Sequence, residues 1–130
     1  MALHINIIAP DRTVWDSDAE EVILPSSTGQ LGILRGHAPL LTALDIGVMR
    51  VRTDKDWTPI VLMGGFAEVE NDELTILVNG AEEGASIDKE AAQKELEEMT
   101  ERFNEAETSK ERIEATQNLR KARARVQATS

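Results

Sequence analysis

The sequence predicts a mainly β chain that also contains α-helix, namely an N-terminal β-sandwich over residues 1–84 followed by a C-terminal antiparallel two-helix hairpin over residues 85–130. All 8 Gly and all 4 Pro lie at or before Gly84, and the remaining residues are rich in Glu, Ala, Lys, Arg and Gln. Because Gly and Pro interrupt regular structure, their absence after Gly84 favours helices there. Before Gly84, short aliphatic runs alternate with turn residues, which is typical of strands.

The first part of the chain is expected to form many short strands without an intervening helix, the pattern of a sandwich or barrel. Residues 48–53 illustrate the two-residue alternation of a half-buried strand, with Met49 and Val51 facing inward and Arg50 facing outward. The expected strands cover residues 3–8, 11–15, 20–24, 31–34, 40–44, 48–53, 59–63, 66–70 and 74–79.

The second part of the chain predicts two helices. Asp88 is placed to cap the first helix, and Thr108 with Glu111 offers a capping box for the second. The apolar stripes at helical spacing are Ala92, Leu96, Met99, Phe103 and Ala106, then Ala115, Leu119, Ala122 and Val126. Because these residues are mostly small, little apolar area is buried per turn. We expect either a hairpin that docks weakly on the sandwich and can leave it, or a permanently docked one.

Composition excludes several classes of function. With 24 acidic and 14 basic residues, the net charge of −10 disfavours binding to the nucleic-acid backbone. The chain has no Cys and only 2 His, so disulfides, thiolate chemistry and a His-based zinc site are not expected. No apolar run reaches the length that crosses a membrane.

The charge is polarised along the chain. Residues 1–84 hold 14 acidic and 5 basic residues, whereas residues 115–130 hold no acidic residue. The basic residues of this last segment are Arg120, Lys121, Arg123 and Arg125. A basic end on an acidic chain predicts a surface for a partner.

A catalytic constellation is weakly supported. His37 and Asp45 could form a hydrolase triad with Ser26 or Ser27, but no Gly-x-Ser-x-Gly elbow accompanies them. Two alternatives remain open at this point: a hydrolase that uses His37, and a β-sandwich ligand- or peptide-binding module with a dimerising helical tail. The apolar run 38–41 fits an interface, although its leucines could equally fill the core.

Several runs of the sequence closely resemble the epsilon subunit of F-type ATP synthases. The most specific is Gly36-His37-Ala38-Pro39 within residues 36–44, and residues 22–25, 29–34, 64–69 and 74–77 add to it. The resemblance covers essentially the whole chain. Trp15, Asp45-Ile46-Gly47 and the basic end are most similar to the chloroplast and cyanobacterial branch.

The resemblance implies a non-catalytic central-stalk (rotor) subunit of a proton-translocating synthase, which couples rotation between gamma and the c-ring. Residues that match the family loop at the c-ring are Gln30, Leu31 and Gly32, and those that match the strip near gamma are His37, Ala38, Pro39 and Leu40. The helical hairpin would inhibit ATP hydrolysis at the alpha/beta catalytic head. Arg120, Lys121, Arg123 and Arg125 would pair there with an acidic segment of a beta subunit.

The resemblance also implies a location and a nucleotide motif. The chain would be peripheral on the thylakoid or plasma membrane, on its stromal or cytoplasmic side, and attached only through the complex. Some relatives bind ATP through Ile-Asp-x-x-Arg-Ala, and here residues 87–92 keep Asp88 but have Ala91 in place of the arginine. Glu82 belongs to the same degenerate motif. Without the arginine we expect weak or no ATP binding, no cofactor and no metal.

Overall fold

The computed structural model describes residues 3–129, which form eight strands, one 3₁₀ turn and two helices. The strands are β1 (Leu3–Ala9), β2 (Arg12–Ala19), β3 (Glu21–Ser26), β4 (Gly29–Leu34), β5 (Leu40–Thr53), β6 (Asp56–Glu70), β7 (Glu73–Val78) and β8 (Ala81–Glu83). The 3₁₀ turn at Gly84–Ser86 leads to α1 (Lys89–Glu105) and α2 (Ser109–Ala128). The predicted fold class, a β-sandwich followed by a helical hairpin, is confirmed.

The strands follow the order β2-β1-β7-β6-β5-β3-β4, with β8 added beside β6. The pairing of β1 with β7 is parallel, and the other pairs are antiparallel. The long strand β6 changes neighbours along its length: residues 65–70 pair with β7, whereas residues 60–62 pair with β8. This strand therefore contributes to both layers of the sandwich.

The predicted strand boundaries were wrong in the middle of the chain. Residues 40–44 and 48–53 are one strand, and residues 59–63 and 66–70 are another. The sequence suggested breaks because glycines interrupt both runs. In the structure Gly64 and Gly65 have φ values of +84° and +153°, so β6 changes course there without ending. The short strand β8 was not predicted.

The core lies between the two layers. Alternate residues of β1 are buried, and Met49 and Val51 are fully buried as their alternation predicts. The largest fully buried side chains are Leu3, Ile5, Ile7, Leu24, Ile33, Met49, Ile60, Leu62, Leu74, Ile76, Val22 and Val51. The core is therefore aliphatic.

The hairpin packs on the outer face of the long strands. Ala124 and Ala128 of α2 cluster with Val61 of β6, and the partly buried Ile46, Val48, Met63 and Ile87 surround them. The predicted stripe of α2 is buried at Ala115, Leu119 and Ala122, but Val126 is only half-buried. In α1, Ala92 is buried while Phe103 is 36% exposed. The hairpin therefore contributes mainly small side chains to its apolar contact with the sheet, and each of them buries little apolar area.

Both predicted helix caps are confirmed. Asp88 Oδ1 accepts a hydrogen bond from Ala91 N at 3.1 Å. Thr108 Oγ1 accepts from Glu111 N at 3.1 Å, and Glu111 Oε2 accepts in return from Glu107 N at 3.1 Å. The return bond thus reaches the residue before the cap.

Candidate functional site at the hairpin junction and the exposed faces

Three charged side chains join the hairpin to the sandwich. We call Arg125, Glu82 and Glu95 the ion triad. Arg125 of α2 donates from Nε and Nη2 to the Glu82 carboxylate of β8, at 3.0 Å to Oε1 and 2.7 Å to Oε2. Its Nη1 donates to Glu95 Oε1 of α1 at 2.6 Å. One guanidinium therefore connects three separate elements of the fold.

The surroundings strengthen the triad. The side chains of Arg125, Glu82 and Glu95 are 26%, 34% and 36% exposed, so water is partly excluded. The hydrogen bonds to Glu82, and then to Glu95, raise the pKa of Arg125 above its already high value. Two-point pairing between a guanidinium and a carboxylate combines charge with directional bonds. In this conformation Arg125 is paired with carboxylates of its own chain.

Gly84 follows Glu82 by two residues, where the sheet leads into the hairpin. A Cβ atom at Gly84 would lie 2.8 Å from Pro59 Cγ and 2.9 Å from the carbonyl oxygen of Ala128. The end of α2 therefore approaches the backbone more closely than a side chain at this position would allow.

Both residues of the degenerate nucleotide motif already have partners within the chain. Glu82 binds Arg125, and Asp88 caps α1. In this conformation both oxygens of Glu82 and the Oδ1 atom of Asp88 are hydrogen-bonded within the chain.

The remaining basic residues of the C-terminal segment differ from Arg125. Arg120 and Arg123 are exposed, whereas Lys121 is half-buried. Arg120 also borders an open groove along α2 together with Arg112 and Ile113, whose side chain is 64% exposed. This face of α2 is both basic and partly apolar.

Residues 30–32 lie near the start of the edge strand β4, which begins at Gly29. Gln30 and Gly32 are exposed and Leu31 is half-buried. The preceding turn is held by Ser26 Oγ, which donates to Gly29 O at 2.5 Å. The resemblance gave these residues as a loop, whereas the structure has them in a strand immediately after a turn.

His37, Ala38 and Pro39 connect β4 to β5. Backbone N–H of His37 donates to Leu34 O at 3.1 Å, and Ala38 and Pro39 are exposed. The sequence left open whether the leucines that follow form an interface or fill the core. Leu41 is 68% exposed, whereas Leu44 is buried and Leu40 is half-buried. The run is thus partly core and partly surface.

An apolar row on the adjoining face was missed by the sequence reasoning. Ile8, Leu77, Phe66 and Ala43 pair successively across β1, β7, β6 and β5. Phe66 is 58% exposed and Leu77 is 52% exposed. The sequence contains one indication of this row, namely that Phe66 is flanked by two small residues. Which residues lie beside Phe66 on the neighbouring strands follows only from the strand register.

The hydrolase alternative finds no support in the geometry. A ring nitrogen of His37 lies 2.6 Å from Ala38 O, and Ser26 Oγ is bonded to Gly29 and Thr28. Among residues 3–129, no three His, Asp or Glu side chains gather in a way that could hold a metal ion. Nor does that range contain a helix long and apolar enough to cross a membrane.

The sandwich has an exposed apolar row, and its hairpin is held partly by ion pairs between side chains. These features are typical of a chain that works by contacting other proteins. The chain matches the model of the "ATP synthase, Delta/Epsilon chain, beta-sandwich domain" over residues 2–84. It matches the "ATP synthase, Delta/Epsilon chain, long alpha-helix domain" over residues 86–130. The chain therefore belongs to the ATP synthase delta/epsilon chain family, as its motifs predicted. Such a chain is a structural and regulatory part of the synthase, not its catalytic part.

The relatives cover the full length. The chain is 82% identical over 130 residues to the chloroplastic ATP synthase epsilon chain of Guillardia theta, covering 100% of this chain and 99% of the relative. It is 72% identical to that of Porphyra purpurea, with 100% and 97% covered. The epsilon chain of Trichodesmium erythraeum is 61% identical, with 98% and 96% covered. A chain in the mitochondrial ATP synthase of Euglena gracilis has the same fold, with a TM-score of 0.84 at 21% identity, covering 95% of this chain and 78% of that chain.

Proposed function

We propose that this chain is the central-stalk subunit of a chloroplast-type, proton-translocating ATP synthase, where it couples rotation between gamma and the c-ring and inhibits ATP hydrolysis. The observation that carries the proposal is the full-length identity of 82% to a chloroplastic epsilon chain. The similar Euglena chain comes from an assembly of OSCP, F1 and c-ring, which agrees with such a position. The partners of this chain would be gamma, the c-ring and the alpha/beta head.

We further propose that residues 1–84 and 85–130 are two functional units. The first would remain in the stalk, and the second would move between the sheet and the catalytic head. Support comes from the junction, where α2 contacts the sheet through Ala124 and Ala128. Contacts of small side chains are weak enough to be broken during a functional cycle.

The gamma surface would include His37, Ala38, Pro39 and Leu40, and would extend over the apolar row. Leu41 follows the strip directly, and Ala43 is two residues further along β5. The apolar row therefore begins close to the strip along the chain, although the Leu40 side chain packs against the core. Exposed apolar area of this kind is typical of a contact surface.

The c-ring contact would lie at Gln30, Leu31 and Gly32. These residues lie near the start of the edge strand β4, whereas α2 packs mainly against β5 and β6, and Gln30 and Gly32 are exposed. The hairpin would thus be free to move while this edge strand remains attached.

Arg120, Lys121, Arg123 and Arg125 would pair with an acidic segment of a beta subunit when the hairpin is detached. Exposure of Arg120 and Arg123 supports this role. Pairing of exposed charges is screened by salt, so inhibition should weaken as ionic strength rises.

No nucleotide cofactor is proposed. Glu82 and Asp88 are engaged by Arg125 and by the start of α1, and Ala91 offers no charge to a phosphate. Through its complex the chain would be peripheral on the thylakoid membrane, on the stromal side. Chloroplastic relatives at 82% and 72% identity support that location over a plasma membrane.

Co-purification with gamma tests the proposal. We expect Phe66→Ser combined with Leu77→Ser to weaken binding to gamma more than a hundredfold, because two apolar side chains each contribute about 1.5–3 kcal/mol when buried. Trp57→Ser is the matched control, since Trp57 is 41% exposed on the same strand but lies near its other end. Equal loss in both variants, or retention in both, would contradict the proposed gamma surface. A wild-type chain that does not bind gamma at all would contradict the proposed function.

A further inference from the structure

The ion triad carries a more specific inference about regulation. We infer that Arg125 is a latch that holds the hairpin on the sandwich, a role that Arg120 and Arg123 do not share. Neutralising Arg125 would release the hairpin, whereas neutralising the exposed arginines would weaken its contact with an acidic partner. The latch itself depends on the geometry of the junction, and only its effect on ATP hydrolysis rests on the proposed function.

Apolar packing alone holds the hairpin weakly on the sandwich. The cluster beneath α2 has Val61, Ala124 and Ala128 as its buried members, and the larger side chains around them are only partly buried: Ile46, Val48, Met63 and Ile87. Because α2 contributes alanines, each of its side chains buries little apolar area. A polar interaction at the same junction therefore has a large share in deciding whether α2 is docked.

Arg125 is suited to that task because it joins α2 to two elements at once. It contacts Glu82 of β8 and Glu95 of α1, each at 2.7 Å or less. Removing the guanidinium would leave two carboxylates facing one partly buried site without a counter-charge. Like charges in such a site repel, so the loss of Arg125 both removes attraction and adds repulsion between α1 and β8.

The neighbouring arginines lack this environment. Arg123 and Arg120 are exposed, and Arg125 is half-buried. While α2 is docked, the basic segment therefore presents Arg120 and Arg123 to solvent and keeps Arg125 for the latch. Detachment would release the third arginine at the moment when an acidic partner could receive it.

A single engineered thiol measures the latch directly, because the chain contains no cysteine. Val61 is fully buried beneath α2 and lies outside the main core, so Val61→Cys reacts with a thiol reagent only when the hairpin leaves. Ala67→Cys, in the main core, is the control for unfolding of the sandwich. Both are measured in the isolated full-length chain.

We expect Arg125→Gln to speed modification of the Val61→Cys thiol about tenfold or more, with Glu82→Gln giving a similar change. The two substitutions combined should not add, because they break one interaction. Arg123→Gln should stay within about twofold of the parent. Equal rates for Arg125→Gln and Arg123→Gln would overturn the latch. If the Ala67→Cys thiol also becomes reactive in Arg125→Gln, the comparison is made with Glu82→Gln, which breaks the same bond from the sandwich side.

The assembled synthase separates the latch from the proposed function. We expect Glu82→Gln, which breaks the latch but leaves Arg125 available to the acidic partner, to lower the rate of ATP hydrolysis, and Arg123→Gln to raise it. If Glu82→Gln raises the rate as Arg123→Gln does, the effect of the latch on hydrolysis is overturned. If the thiol result holds but neither variant changes hydrolysis, the latch stands and inhibition by the hairpin is wrong.

Discussion

Arg123 and Arg125 are two positions apart on α2 and yet have different surroundings. Arg123 is exposed, whereas Arg125 is paired with Glu82 and Glu95 at the junction. Sequence reasoning treated them as one basic cluster, because a run of positive charge carries no information about which residue faces the sheet. Since a residue two positions along a helix lies on a different face, helical geometry separates them.

A second charged cluster at the residue scale joins the edge strand β2 to β1. The ring nitrogens of His4 lie 2.7 Å from Asp16 Oδ1 and 2.8 Å from Asp18 Oδ1. Only the doubly protonated ring donates from both nitrogens. The hydrogen bond with Asp18, with added attraction from Glu73 and Asp16, raises the pKa of His4 above 6.5.

We predict a matching pH dependence. Because the folded-state pKa is raised, the stabilisation from His4 is fully present below pH 6.5 and is lost as the pH rises through the folded-state pKa. An NMR titration of the His4 ring should give a midpoint above 6.5, and Asp18→Asn should lower it. A midpoint at or below 6.5 in the wild-type chain would contradict the bond geometry.

At the element scale, the long strands β5 and β6 decide the shape of the sandwich. Predicting that strands occupy these stretches required only alternation and β-branched residues. Predicting that they are continuous was not possible, because glycine is compatible both with a turn and with a change of course inside a strand. The β5–β6 register is the same on both sides of Asp45 and Gly64, so the two strands bend together.

We predict that Gly65→Ala is strongly destabilising. An added Cβ would overlap the carbonyl oxygen of Leu77 and lie 2.8 Å from Val78 Cα, at a φ of +153°. Backbone strain and crowding together should cost about 3 kcal/mol or more of the free energy of unfolding. Urea denaturation measures this loss.

Gly32→Ala is the control, because a Cβ there meets no atom within 4 Å. It should change the free energy of unfolding by less than about 0.5 kcal/mol. A Gly65→Ala chain as stable as Gly32→Ala would show that the approach of β6 to β7 at this point is not needed for stability.

The sequence predicts that the two helices exist and where they begin, but not which of their residues contact the sheet. Their caps follow from local sequence at Asp88 and Thr108, and both caps are present. Burial of Ala124 and Ala128 was not predicted, because a small residue gives a weak apolar signal and its partner, Val61, is distant in sequence. The pairing of Glu82 with Arg125 could not be predicted from the sequence either, because the two residues are 43 positions apart and only the fold brings them together.

At the scale of the whole molecule, the fold separates an anchoring part from a movable part. The sandwich has its own aliphatic core, and its exposed face carries the apolar row. The hairpin lies on the outer side of the long strands and is held by small side chains and the ion triad. The acidic and basic parts of the chain therefore meet at the junction, where charge contributes to the choice between docked and detached hairpin.

The most direct test of that division is a reversible lock on the docked hairpin. Val61 and Ala124 belong to the same buried cluster, and the chain has no other thiol with which their cysteine replacements could pair. In the assembled synthase carrying Val61→Cys and Ala124→Cys, ATP hydrolysis is measured with the disulfide formed and then reduced. A docked hairpin cannot reach the catalytic head, so we predict faster hydrolysis in the oxidised enzyme. Equal rates at complete disulfide formation would contradict the account.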